Sequence, residues 1–157
     1  MELYHLGILK NPHWEYRNQM ISEMMLPSKT VIDLGCGSKN LLKFYTPTKY
    51  LGVDGIPSAD LTIDLNTDFT LPTGWDYAVN SGILEFVIRP DLYLEKIKNI
   101  SNEYFFSWWR GHGWGRMPFS EIEKLISINY TITDIREMGL VNRLYRCYPI
   151  MSRSEQV

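Results

Sequence analysis

The octapeptide Thr30-Val31-Ile32-Asp33-Leu34-Gly35-Cys36-Gly37 is a short apolar run that ends on an acid and enters a glycine turn. The β-branched pair Val31-Ile32 suits a strand covered on both faces, as in a parallel sheet. Gly35 and Gly37 lack a Cβ, so the turn can take positive φ and let a ligand approach the backbone closely. Asp33 stands near the carboxyl end of the strand, where open α/β sheets bind their ligands. A carboxylate there suits an ammonium group or hydroxyls and suits a bare phosphate poorly.

The flanking sequence alternates strands with connections. The spacing of Trp14, Arg17, Met20 and Met24 predicts a helix over 13–26, stopped by Pro27-Ser28. A short helix over 40–45 follows the glycine turn and ends before Pro47. The second strand covers 50–53 and closes on Asp54. The third covers 61–63 and closes on Asp64. Gly55, Pro57 and Ser58 leave little room for a crossover helix between them, so trimmed connections are expected. Trp75–Asn80 reads as the fourth strand, and 82–87 as a turn with a short helical segment. Pro90 opens a helix with Asp91 in its first turn, and Leu92, Tyr93, Leu94, Ile97 and Ile100 give that helix an apolar face.

The fifth strand covers 103–108, and a loop rich in glycine, tryptophan and basic residues follows it. Ser120 and Glu123 form a capping box for a helix over 121–128. Strands over 130–136 and 142–150 are joined by Met138-Gly139-Leu140 and are therefore antiparallel to each other. This order predicts an α/β fold. It is a Rossmann-like, open, mostly parallel seven-stranded sheet with helices on both faces and an antiparallel terminal hairpin strand.

The chain has 157 residues, which predicts a single domain over 1–157. Its N-terminal segment and helix, 1–28, are expected to cover the ligand site. Net charge is −2, so no broad basic field is available and no nucleic-acid partner is expected. No apolar run approaches a membrane span and no signal pattern opens the chain, so no membrane association is expected. The two cysteines, Cys36 and Cys147, match no metal or redox spacing. They read as reduced, packed residues of a cytoplasmic protein, and no metal site is expected.

The glycine motif resembles the first motif of class I S-adenosylmethionine-dependent methyltransferases, whose core reads Asp/Glu-x-Gly-x-Gly-x-Gly. Asp33, Gly35 and Gly37 match it, and Lys39 stands where the third glycine would. A second match is Leu84-Glu85-Phe86, similar to the Leu-Glu-His segment of small-molecule methyltransferases, with Phe86 in place of the histidine. The resemblance spans about residues 30–150. It implies S-adenosylmethionine as cofactor and S-adenosylhomocysteine as product.

The resemblance also implies roles for named residues. Asp33, Gly35, Cys36 and Gly37 would lie against the methionine part. Asp54, followed by Gly55, would bind the ribose hydroxyls, and its spacing of about twenty residues beyond the glycine turn agrees. Asp64 and Leu65 would meet the adenine. Asn80 and Ser81, at the end of the fourth strand, would lie near the methyl sulfonium. A nicotinamide cofactor fits less well, because its Gly-x-Gly-x-x-Gly fingerprint would need glycine at Asn40. No Gly-Lys-Ser/Thr phosphate loop is present.

Methyl transfer from an activated sulfonium needs mainly alignment, worth roughly 7–11 kcal/mol. A base is needed where the nucleophile carries a proton. His112, in the loop after the fifth strand, is the candidate base. Trp108, Arg110 and Trp114 are candidates to line an acceptor pocket, with His13 and Tyr16 on the N-terminal helix. Arg17 is a further candidate to cover the cofactor, although periodicity alone places it on an exposed face.

No Asp/Asn-Pro-Pro-Tyr/Phe motif is present, which argues against nucleic-acid base methylation. The expected acceptor is therefore a small or carbohydrate-like molecule. A non-catalytic methyltransferase-like binding module, and another reaction of the same cofactor, remain as alternatives.

Overall fold

The computed structural model describes residues 12–110 and 117–151. Helix α1 (Pro12–Met24) leads into β1 (Thr30–Leu34), and a 3-10 turn, Asn40–Lys43, separates β1 from β2 (Lys49–Asp54). The two-residue β3 (Leu61–Thr62) follows without any intervening helix, then β4 (Trp75–Asn80) and a 3-10 turn, Leu84–Phe86. Helix α2 (Pro90–Ile97), β5 (Ser101–Trp109), α3 (Phe119–Asn129), β6 (Tyr130–Glu137) and β7 (Asn142–Pro149) complete the described order. The trimmed connections expected around Gly55 are present.

The seven strands form one sheet in the order β3-β2-β1-β4-β5-β7-β6. The first five pair in parallel, while β7 runs antiparallel to both β5 and β6. Strand order therefore reverses between β1 and β4, which opens a crevice beyond their carboxyl ends.

Period-two alternation divides the core between the two faces. Ile32 and Leu34 pack with Leu94 and Ile97 of α2 and Ile122 of α3. Val31, Tyr77 and Val79 pack on the other face with Ile21 and Met24 of α1. Ile21 is fully buried, and a side chain of that size contributes about 1.5–3 kcal/mol on leaving water. Asp33 follows Val31 in the alternation and so faces α1.

Two local expectations fail. The capping box does not form: Pro118 occupies the N-cap of α3 and no side chain caps it. Glu123 is instead taken by Arg143 Nη1 at 2.8 Å and the Tyr145 hydroxyl at 3.0 Å, both from β7. Leu92 is half exposed while Tyr93, Leu94 and Ile97 carry the buried face of α2. Among the described residues no helix is long and apolar enough to cross a membrane.

Candidate functional site

Asp33 is 3% exposed, and the Tyr50 hydroxyl donates to its Oδ2 at 2.7 Å. Burial raises its pKa to about 6, and the charge of Asp54 adds to this; the Tyr50 hydrogen bond and the Arg17 cation oppose the rise. Gly35 and Gly37 both take positive φ, 73° and 50°. Gly35 N and Cys36 N donate to the Val53 carbonyl at 2.8 and 3.1 Å, which ties the turn to β2. Gly37 N donates to Asp54 Oδ2 at 2.8 Å. Cys36 is buried, and burial pushes its thiol up to about 12, so it is an inert packing group at neutral pH.

Lys39, at the third-glycine position, takes the left-handed conformation itself (φ 58°, ψ 41°). The backbone course of the glycine motif is thus kept without the glycine. Lys39 Nζ pairs with Asp60 Oδ1, whose Oδ2 accepts from Gly52 N at 2.8 Å.

The three acids at the strand ends do not behave alike. The charge of Asp54, which is tied to the glycine turn through Gly37 N, reaches Asp33. Asp54 has one oxygen on Gly37 N, and its Oδ1 has no hydrogen bond among the described residues. Asp64 is exposed and occupied with its own turn, accepting from Asn66 N at 2.9 Å while its carbonyl accepts from the Thr67 hydroxyl at 2.7 Å. Leu65 buries its side chain in the core rather than offering it to the crevice. Gly55 lies beside the Ile63 carbonyl just past β2.

At the end of β4, Asn80 is fully buried; its Oδ1 accepts from the Tyr93 hydroxyl at 2.6 Å and its Nδ2 has no partner. Ser81 Oγ accepts from Arg17 Nε at 2.7 Å. Gly82 follows with φ 76°, its N–H donating to Ser107 Oγ at 2.7 Å. Glu85 is 1% exposed and its Oε2 has no partner. Burial raises its pKa to about 7, with Arg17 opposing.

Tyr50 and Glu85 are site residues that the sequence left in the background, while Arg17 was expected only to cover the cofactor. For Arg17 a signal existed. It lies four residues before Ile21 and three after Trp14, so it shares the stripe that α1 turns toward the sheet.

The expected acceptor residues are dispersed. His13 and Tyr16 are exposed on α1. Trp108 is 1% exposed, packed in the core with its indole N–H on the Met117 carbonyl at 3.1 Å, so it lines no pocket. Alternation along β5 sends it to the same buried face as Tyr104 and Phe106. Arg110 is exposed and stacks 5.5 Å from the Phe119 ring centroid. His112 and Trp114 lie outside the described residues. Among the described residues no group of histidine, cysteine or acidic side chains is arranged to hold a metal.

Solved structures share this architecture. The chain is similar to a SAM-dependent methyltransferase from Aquifex aeolicus, with a TM-score of 0.72 and 15% identity over 92% of this chain and 97% of that one. It is similar to a 1,6-didemethyltoxoflavin N1-methyltransferase from Burkholderia thailandensis, solved with 1,6-didemethyltoxoflavin and S-adenosylhomocysteine. The TM-score there is 0.68, with 13% identity, and the match covers 89% of this chain and 79% of that one. A third similar structure is magnesium protoporphyrin IX methyltransferase from Synechocystis PCC 6803 with bound SAM, at TM-score 0.64 and 12% identity, covering 88% and 80%. No family model and no curated protein matches the chain. At these identities the likeness is one of fold: the chain has the fold of class I S-adenosylmethionine-dependent methyltransferases.

Proposed function

We propose that the chain binds S-adenosylmethionine in the crevice beyond β1 and β4 and transfers its methyl group to a small-molecule acceptor. The observation that carries this reading is the placing of two acids at the glycine turn. A buried Asp33 faces a positive-φ turn whose N–H is held by Asp54, at the point where strand order reverses. The donor and acceptor chemistry fits the cofactor. Asp33 offers a carboxylate to the ammonium. Asp54 Oδ1 offers an acceptor to the ribose hydroxyls. The unpartnered Asn80 Nδ2 offers a donor at the strand end assigned to the methyl sulfonium.

The cofactor supplies an activated methyl group, and the chain's own task is to align an acceptor with it. Asp64, with the backbone at Leu65, is assigned to the adenine. His112 is assigned as base where the acceptor carries a proton, with Arg110, Trp114, His13 and Tyr16 around the acceptor. Two similar structures, methyltransferases of 1,6-didemethyltoxoflavin and of magnesium protoporphyrin IX, support the small-molecule class. We place the protein in the cytoplasm on its two buried, unpaired cysteines, Cys36 and Cys147.

Calorimetry with S-adenosylmethionine, S-adenosylhomocysteine, NAD and ATP tests the reading. Selective binding of the two adenosyl compounds is the expected result. A ligand at about a hundred times its dissociation constant adds roughly 2.7 kcal/mol of stability, so a melting shift gives a second readout. Binding of NAD alone, or of none of the four, would reject it.

A further inference from the structure

Strand β6 is an edge of the sheet: β7 lies on one side of it and no described strand lies on the other. Met138 N donates to the Asn142 carbonyl at 2.9 Å, so the backbone groups of Met138 face β7. Alternation along an antiparallel ladder turns those of Ile135 and Glu137 outward, away from β7. At the other end of the strand, Ile150 N donates to the Asn129 carbonyl at 2.8 Å. The one-residue irregularity between Ile132 and Asp134 brings both ends into the same alternation.

Edge strands commonly deter pairing with bulges, proline or like charges. Past the bulge, this edge reads acid, apolar, base in Asp134-Ile135-Arg136. Asp134 and Arg136 share one face of the sheet, where Arg136 Nε lies 3.4 Å from Asp134 Oδ2. Ile135 points to the other face and is 45% exposed. The triplet is complementary to itself. When two copies meet antiparallel about a two-fold axis at Ile135, Asp134 of each stands opposite Arg136 of the other. Directly opposite side chains share a face, so the four charges alternate in sign. The outward backbone of the two Ile135 residues then exchanges both hydrogen bonds. The same register carries Leu140, 92% exposed in the β6–β7 turn, toward the end of α3 of the second copy, where Ile128 is 65% exposed.

We propose that β6 pairs with β6 of a second copy of this chain, antiparallel and centred on Ile135, and joins two sheets into one. Because β5 and β6 both run antiparallel to β7, β6 follows the direction of the parallel strands. The two crevices beyond β1 and β4 therefore open at opposite ends of the joined sheet, and neither is covered. An edge contact of this length falls at the small end of specific interfaces, below about 1,200 Å², so the dimer is weak and concentration-dependent.

Sedimentation equilibrium of the full chain, from about 1 to about 200 μM, is expected to show the mass rising from one chain toward two. Asp134→Arg and Arg136→Asp each set like charges opposite one another at two symmetric points and weaken association by about 10-fold or more. An equimolar mixture of these two variants regains it, because a basic edge then meets an acidic one. Ile135→Pro removes an N–H that points away from β7, so it spares the chain's own ladder and abolishes the dimer.

An unaltered chain that keeps the mass of one copy throughout overturns the proposal. A dimer that survives Ile135→Pro uses another surface and overturns it too, as does a mixture that associates no better than either charge variant alone. Should a charge variant fail to fold, as read by thermal melting, Ile135→Pro decides. The experiment is run without S-adenosylmethionine, so failure of the cofactor reading leaves its outcome untouched.

Discussion

The Tyr50 hydroxyl donates to Asp33 Oδ2 diagonally across the β1–β2 pair, two residues beyond the backbone partner of Tyr50, which is Val31. A diagonal of that kind is within reach of an aromatic side chain and not of most others. It gives a buried carboxylate a donor that water can no longer supply. Removing the hydroxyl leaves a buried acceptor unsatisfied, so Tyr50→Phe is expected to lose about 1–2 kcal/mol of stability in denaturant melts. Without that bond the Asp33 pKa rises further above about 6. Affinity for S-adenosylmethionine in Tyr50→Phe then falls at neutral pH and recovers as the pH is raised. Unchanged melting and affinity would show that other groups hold Asp33.

Asp54 has a divided task in the ligand-free chain: Oδ2 holds Gly37 N and Oδ1 is left for a ligand. Charge-assisted hydrogen bonds to two ribose hydroxyls are worth about 1.5–3 kcal/mol each before reorganisation. Asp54→Ala is expected to cost about 2–3 kcal/mol of S-adenosylmethionine affinity, read by calorimetry. Equal affinity in this variant removes Asp54 from the ribose.

Much of this arrangement is legible in the sequence, for local reasons. The apolar runs of β1 and β4 and the glycines after β1 fix their own conformations, and they fall where periodicity places them. Long-range partners are what periodicity omits. Glu123 has the spacing of a helix cap, yet Arg143 and Tyr145 from a strand twenty residues away take its oxygen. Trp108 belongs to an alternation that buries it, and the composition of the following loop gave the opposite impression. Arg17 lies on the correct helix stripe, but a period of 3.6 tells which side it faces and not which strand end it reaches.

Asp33 and Glu85 give the ligand-free chain an unusual dependence on pH. Burial raises their pKa values to about 6 and about 7. Between the unfolded carboxylate range near pH ~4 and these values, the folded state holds protons that the unfolded chain has lost, so stability rises as pH falls. Tyr50, Asp54 and Arg17 act on Asp33, and Arg17 acts on Glu85. Asp60, Asp68, Asp76 and Asp91, none of them buried, have lowered pKa values from their partners and work in the opposite sense, at lower pH. Tm is expected to increase from about pH 8 to about pH 4.5 and to decline below, with Glu85→Gln flattening the upper part. A Tm that falls steadily below pH 8 would mean that neither carboxylate is held buried in solution.

Gly82 and Gly139 separate backbone strain from contact with Arg17. Both take positive φ, 76° and 79°. A Cβ at Gly82 would stand 2.5 Å from Arg17 Nη2 and 3.0 Å from Cζ, whereas one at Gly139 meets nothing within 4 Å. The left-handed conformation costs an L residue about 1–2 kcal/mol, so Gly82→Ala and Gly139→Ala are each expected to lose about that much stability. Only Gly82→Ala has a neighbour to displace, and the guanidinium is the flexible partner, so it yields and leaves Ser81. Gly82 lies at the end of β4 in the proposed cofactor crevice, so calorimetry should then find weaker S-adenosylmethionine binding in Gly82→Ala than in Gly139→Ala. Equal affinity in the two variants would show that the place of Arg17 over Gly82 has no part in binding.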